Sequence, residues 1–314
     1  MKKILAILRL FRWYNLLMIG LIMYFFRSFV IQPLIREAGF DLALSGGDFF
    51  LLVLSVVLMT AAGYVINDYF DLRIDRINKP GRVVIGKQVS RRSAIILHLG
   101  LNGISILIGL YISWRIQYWP LAPVMALVPL LLWVYSIWLK RSFLVGNLAV
   151  ASLAGLLIPL VWIVDYQAAG FARFYELSLK PVEFFIWLYS LFGFFTTLVR
   201  EIVKDIQDFA GDQVAGCKTL VVVIGLERTR KILLALLFLI IVSLAAYSVV
   251  STISTRVFLA VYFLAGIIIP LSVAAFFSKK ALLPSDFERI QYLLKMAMLT
   301  GVLSMVIQYL YIGR

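Results

Sequence analysis

Asn67, Asp71 and Asp75 stand at i, i+4 and i+8 in the stretch Asn67-Asp68-Tyr69-Phe70-Asp71-Leu72-Arg73-Ile74-Asp75, directly after an apolar run from Phe49 to Ile66. At helical spacing their side chains leave one face, roughly one turn apart. Nothing favours such a face on its own. Like charges at i, i+4 repel, and the C-terminal end of a helix carries partial negative charge that disfavours carboxylates further. A divalent cation reverses the sign of both effects, and hard ions such as Mg²⁺ are held by a few carboxylates together with phosphate oxygens. The chemistry to expect is therefore a metal site at a membrane surface, with a solvated acidic helix end as the bland alternative.

A second acidic stretch runs Arg200-Glu201-Ile202-Val203-Lys204-Asp205-Ile206-Gln207-Asp208-Phe209-Ala210-Gly211-Asp212, with Asp205, Asp208 and Asp212 at i, i+3 and i+7. Of 16 acidic residues, 7 fall in the two clusters: Asp68, Asp71, Asp75, Glu201, Asp205, Asp208 and Asp212. A solvated surface would not concentrate them so. Two carboxylate faces, each with a Mg²⁺, could share one diphosphate and assist its departure. Basic residues are interleaved: Arg73, Arg76, Lys79 and Arg82 after the first cluster, Arg200, Lys204 and Lys218 around the second, and Lys140 with Arg141 between the fourth and fifth apolar runs. Guanidinium and ammonium groups are what a diphosphate needs beyond its metals. Each also has a purely topological reading, and Arg82 and Lys140 are the stronger binding candidates. Tyr64, Phe70, Tyr135 or Phe195 could hold an allylic cation against a ring face. Gly81 to Lys87 spells G-x-x-x-x-G-K, but Gln88 replaces the Ser or Thr of a phosphate loop and no strand precedes it.

The elements that must position these residues are membrane spans. The chain has 314 residues, 63% of them hydrophobic, with mean hydropathy +0.98, more apolar surface than a soluble fold of this size can hide. The runs are too long for barrel strands, so the fold class is all-α. At about 20 residues per span, nine helices are expected near 14–34, 47–67, 93–115, 118–139, 144–165, 182–203, 231–251, 256–277 and 290–312. With the N-terminus cytoplasmic, the inner segments hold 22 of the 30 basic residues and the outer ones 7. The positive-inside rule then puts the C-terminus outside. Both acidic clusters fall in long cytoplasmic connections, 68–92 and 204–230, that follow the second and sixth spans. Two similarly arranged halves facing a central cavity are the natural arrangement, although no sequence repeat is evident. The net charge of +14 speaks to topology and anionic head groups rather than nucleic acid. The single Cys217 excludes an internal disulfide. His98, in an apolar run, is expected to make a polar contact between helices. No small-residue cleavage site follows Met1-Lys2-Lys3, so no removable leader is expected.

Asn67-Asp68-Tyr69-Phe70-Asp71-x-x-x-Asp75 with Asn78-Lys79-Pro80-Gly81-Arg82, followed by Asp208-x-x-x-Asp212-x-x-x-Gly216-Cys217-Lys218-Thr219, resembles the UbiA superfamily of intramembrane prenyltransferases over nearly the whole chain. The resemblance implies a single domain over 1–314, a helical bundle with a central cavity and a cytoplasmic cap in the cell (inner) membrane. It also implies Mg²⁺-dependent binding of a polyprenyl diphosphate donor and transfer of its prenyl group to a lipid-like acceptor. By position, Asn67, Asp71 and Asp75 would serve one metal and Asp208 and Asp212 the other, with Asp68 and Asp205 in support. Asp71, Asp75, Asp208 and Asp212 would be the catalytic carboxylates. Asn67, Lys79, Arg82, Tyr135, Lys140, Arg141, Arg200, Lys204 and Lys218 would line the substrate site.

Within that superfamily, Arg200-Glu201-Ile202-Val203-Lys204-Asp205-Ile206-x-Asp208-x-x-Gly211-Asp212 with Lys218-Thr219-Leu220 is most similar to the digeranylgeranylglyceryl phosphate synthase branch, which joins a geranylgeranyl group to the free hydroxyl of geranylgeranylglyceryl phosphate in ether-lipid synthesis. Val83 and Val221 stand where that pattern usually has proline. The rival acceptor on the same scaffold is an aromatic ring, as in quinone, haem or chlorophyll pathways. An ion-coupled transporter is the rival from another class, but transporters place coupling ions near the bilayer midplane on broken helices, and these acids lie at helix ends.

Overall fold

The computed structural model describes residues 2–37, 39, 41–42, 44–78, 80–81, 83–169, 180–254, 256–281 and 284–312. Lys79 and Arg82, both candidates in the sequence reading, lie outside the described residues. The described residues form thirteen α-helices: α1 (Lys2–Leu10), α2 (Trp13–Phe25), α3 (Gln32–Glu37), α4 (Gly46–Phe70), α5 (Leu72–Asn78), α6 (Arg91–Arg115), α7 (Leu121–Ile137), α8 (Val145–Ala169), α9 (Lys180–Val214), α10 (Leu220–Ile253), α11 (Val257–Phe263), α12 (Ile269–Lys280) and α13 (Pro284–Tyr309). Short π-helical turns join α2 to α3 and α11 to α12. Among the described residues there is no strand, only an isolated bridge between Ile85 and Val89. The same residues supply nine helical stretches long and apolar enough to cross a membrane, and the protein is an integral membrane protein.

The expected spans and the observed ones agree except around the second acidic cluster. The sixth span does not end near 203. It continues as α9 to Val214, and the next helix begins at Leu220 instead of 231. The expected long loop 204–230 is thus a five-residue connection between two helices. The turn is built by Gly216, whose φ of +69° is left-handed. The Cys217 amide donates to the Asp212 carbonyl (2.9 Å) and the Gly216 amide to the Gln213 carbonyl (3.2 Å), the pair of bonds that closes a helix at a C′ glycine. Helical continuation past 203 needs no apolar residues, because the polar end of α9 has left the hydrocarbon.

Contacts divide the chain into two units. The first comprises Met1–Met23, Leu42–Arg141 and Val161–Leu177, and the second Tyr24–Asp41, Ser142–Leu160 and Ser178–Arg314. In the first, α4 packs against α6 and α7. Ser55 and Ser105 hold α4 and α6 together by donating to each other's carbonyls at 2.9 and 2.8 Å. The His98 ring bonds the Ala62 carbonyl at 2.9 Å, the interhelical contact expected of it. Such bonds replace the hydrophobic drive that lipid cannot supply between helices. Gly109 brings α6 so close to α7 that an added Cβ would lie 2.7 Å from Met125. A satellite cluster packs Ala6 and Leu10 of α1 with Val65, Leu72, Ala94 and the loop residues Val83, Val84 and Ile85. It fixes the segment that follows the first acidic motif.

In the second unit α9 packs against α10 and α13, and α13 against α12. Its core gathers Val199, Ile202 and Val203 of α9, Leu233 and Leu237 of α10, and Ile290 and Leu294 of α13. Polar ties again pin the helices, with the Thr300 hydroxyl donating to Gly266 and the Tyr262 hydroxyl to Thr300. The outer faces stay apolar. Phe238, Val249 and Ile253 of α10 are each more than half exposed, as expected where the surroundings are lipid.

Candidate functional site

The first acidic site is made where α4 stops. Asp71 caps the helix with near-helical dihedrals (φ −85°, ψ −1°), and its amide donates to Asn67 at 3.0 Å. The Asp75 amide then donates to Asp71 at 2.8 Å as α5 begins. The i, i+4, i+8 register therefore survives the break, because the backbone bonds bridge it. Asn67 and Asp71 are buried, 6% and 2% exposed, while Asp75 is half-buried. The Asn67 amide nitrogen donates to Asp71 Oδ2 at 2.7 Å. Lys140, in the short turn Leu139–Arg141 after α7, brings its ammonium to the same Oδ2.

What remains is informative. Asn67 Oδ1 and Asp71 Oδ1 are buried without a hydrogen-bond partner among the described residues. Two such oxygens cost about 1–3 kcal/mol each when left bare. Two hard oxygens one helical turn apart, next to a carboxylate at Asp75, fit a cation of the Mg²⁺ kind. The residues present therefore suit the metal that the motif implies. Asp68 does not join them. One position round the helix from Asn67, it faces α1 and accepts from the Arg12 guanidinium at 2.8 Å, and Arg12 also lies over the Tyr64 ring at 4.8 Å. Tyr135 is half-buried on α7, and Arg141 is exposed.

The second site is the polar end of α9. Asp205 and Asp208 are half-buried, and Asp212 is buried at 6% exposure. The Asn147 amide, at the start of α8, donates to Asp205 Oδ2 at 2.8 Å. Arg200 and Lys204, expected to meet a diphosphate, both reach Glu201, at 3.0 and 3.2 Å. Glu201 is itself buried, so these cations neutralise it. Lys218 is exposed beside the turn at Gly216. Among the described residues no three Asp, Glu, His or Cys side chains converge on one point. A metal on Asp208 and Asp212 would need phosphate or water oxygens to complete its shell, which is how Mg²⁺ is ordinarily bound. Sequence reasoning missed Arg12 and Asn147. Asn147 carried a usable signal, the one amide in the apolar first half of α8.

Each unit thus gathers carboxylates and an amide near the end of an apolar span, Asn67, Asp71 and Asp75 in the first and Asn147, Asp205, Asp208 and Asp212 in the second. Residues 38–304 match the UbiA prenyltransferase family, and the chain belongs to it. Among curated relatives, the digeranylgeranylglyceryl phosphate synthase of Korarchaeum cryptofilum is 30% identical over 250 residues, 80% of this chain and 82% of that protein. The protein of the same name from Thermococcus sibiricus is 34% identical over 182 residues, 58% of each chain, and that from Sulfurisphaera tokodaii 36% over 195 residues, 60% of this chain and 62% of that protein. The chain spans about three fifths of the length of these last two relatives.

Solved structures agree on the fold. One concerned with digeranylgeranylglyceryl phosphate synthase in membranes aligns with 99% of this chain and 100% of its own at a TM-score of 0.63 and 20% identity. A UbiA homolog from Archaeoglobus fulgidus bound to DMAPP and Mg²⁺ aligns with 96% of this chain and 99% of its own at 0.53 and 16% identity.

Proposed function

We propose that this protein transfers a geranylgeranyl group from its diphosphate to the free hydroxyl of geranylgeranylglyceryl phosphate, with Mg²⁺ required. The observation that carries the reading is the pair of buried, bare oxygens on Asn67 and Asp71, in a chain of the UbiA prenyltransferase family. Its curated relatives at 30–36% identity bear the name of that synthase. Asn67, Asp71 and Asp75 hold one metal and Asp208 with Asp212 the other, and the metals when bound neutralise the diphosphate and make it a better leaving group. Asp68 and Asp205 act on these sites from their ion pair and hydrogen bond. Lys140, Arg141 and Lys218 add positive charge for the phosphates of donor and acceptor. Lys79, Arg82 and Tyr135 belong to the same substrate site, and the whole chain works as one domain. The site and the N-terminus lie on the cytoplasmic side of the cell membrane, and the C-terminus lies outside.

In the reaction the C1–O bond of the donor breaks and its electron pair leaves with diphosphate. The glycerol hydroxyl then bonds the electron-poor C1 and its proton passes to the released diphosphate or to a carboxylate. An acceptor carrying its own phosphate needs cationic groups beyond those that meet the diphosphate, and the surplus of Lys and Arg around both clusters suits it. The purified chain, incubated with Mg²⁺, geranylgeranyl diphosphate and a panel of acceptors and read by mass spectrometry, is expected to prenylate geranylgeranylglyceryl phosphate. Turnover of 4-hydroxybenzoate or a naphthoate with the glyceryl phosphate ignored would replace the acceptor and leave the prenyl transfer. No turnover of any acceptor would sink both.

A further inference from the structure

The second unit contains a cavity of about 390 Å³ at the end of α9 remote from Asp205, Asp208 and Asp212. It lies between the ends of α3, α10 and α13 and the start of α9, and no part of the proposed reaction uses it. Its size falls in the range of small-molecule sites. From Pro181 at its wall to Asp208 the helix rises about 40 Å at 1.5 Å per residue, close to the full thickness of a bilayer with its head groups. The cavity therefore sits at the head-group level of the leaflet opposite the acidic cluster of this unit.

Its walls are amphipathic. Phe184 and Phe185 supply apolar surface, and the rings of Tyr247 and Tyr311 stand where interfacial aromatics are expected. Two donors serve it. Gln308 is 1% exposed. It accepts from the Tyr247 hydroxyl through Oε1 at 3.1 Å, while its Nε2 is buried with no partner. With Oε1 taken by Tyr247, the donor Nε2 is the atom left for a ligand. Arg256 is in no ion pair among the described residues, its guanidinium lying over the face of Tyr311 at 6.0 Å, and the one carboxylate of the wall, Glu37, is exposed. A buried bare amide beside an unpaired guanidinium, at head-group depth and against aromatic walls, is chemistry that recognises a phosphate ester attached to an apolar tail.

We propose that this cavity binds the phosphate-bearing head group of a membrane phospholipid, with Arg256 and Gln308 holding the phosphate. The site is separate from the acidic clusters and does not depend on which acceptor the enzyme uses. The test takes the full chain, lipid-depleted in detergent, and titrates it with phosphatidylglycerol in mixed micelles. Thermal unfolding and native mass spectrometry are the readouts, with diacylglycerol, glycerol phosphate and inorganic phosphate in parallel. Phosphatidylglycerol is expected to be retained and to raise Tm, and Arg256→Gln to weaken its apparent affinity at least about tenfold. Val250→Trp, an exposed position on the cavity wall, is expected to block retention without touching either donor, which keeps the test decisive if the Arg256 variant folds poorly. Equal responses of the wild type and both variants would overturn the proposal. So would a shift produced as well by diacylglycerol, which lacks the phosphate, or by inorganic phosphate, which lacks the tail.

Discussion

Lys140 pairs with one oxygen of Asp71 and leaves the other bare, so one acceptor oxygen of this carboxylate is still open to a ligand. Asp71→Asn keeps the shape and removes the charge. Two unit charges 4 Å apart interact by about 4 kcal/mol at an effective dielectric near 20, so prenyl transfer in the variant is expected to fall up to about a thousandfold. Steady-state rates over a Mg²⁺ titration check this, and full activity in a chelator would refute the metal reading. Asp68→Asn provides the contrast. Its partner Arg12 is one-third exposed, and such a pair is worth at most about 1 kcal/mol after solvent screening. That variant is expected to lose a degree or two of Tm and to keep its Mg²⁺ dependence, and a loss as deep as that of Asp71→Asn would return Asp68 to the metal site.

Glycines decide how the elements meet. Gly225, in α10, has φ +79° and ψ 165°, a conformation open essentially to glycine alone. It separates the first turn after Thr219 from the long span, and the Thr229 hydroxyl bonds its carbonyl at 2.8 Å. Gly225→Ala is expected to cost about 1–3 kcal/mol, read as faster thermal inactivation in detergent. Gly109→Ala acts differently, since the added methyl would strike Met125 at its rigid Cβ end. Overpacking of this kind costs about 1–3 kcal/mol, and in a Met125→Gly background, which lacks both the Cβ and the Cγ that the methyl meets, the penalty of Gly109→Ala is expected to shrink. Failure of that rescue would mean that the close approach of α6 and α7 is not what Gly109 is for.

For the whole molecule the charge balance makes the strongest claim. An excess of basic residues in the segments at one face is worth more to orientation than any single contact. In a Cys217→Ser background, Lys87→Cys and Ala215→Cys, both exposed, are expected to react with an impermeant maleimide only from the cytoplasmic side. Tyr311→Cys, near the other end of the spans, is expected to react only from outside. Labelling of either of the first two from outside would reverse the orientation.

Hydropathy alone determined the nine spans found among the described residues and the membrane setting, because in lipid a backbone has few ways to satisfy its polar groups. The acidic registers were legible for a related reason. Spacing along one helix is local, and Asn67, Asp71 and Asp75 keep it across the break at Asp71. The end of α9 was misjudged because a helix leaving the bilayer no longer needs apolar residues, and the stop signal, Gly216, was read only as part of a motif. Partner choice was decided by tertiary structure. Nothing near Asp68 in sequence points to Arg12, 56 residues away. Nothing near Asp205 points to Asn147, 58 residues away. The pairing of Lys204 with Glu201 is the exception, an i, i+3 contact on one helix that spacing does offer. A charged group takes whichever opposite or polar group the packing brings within about 3 Å, and packing between helices is set by their faces, not by the order of residues within one.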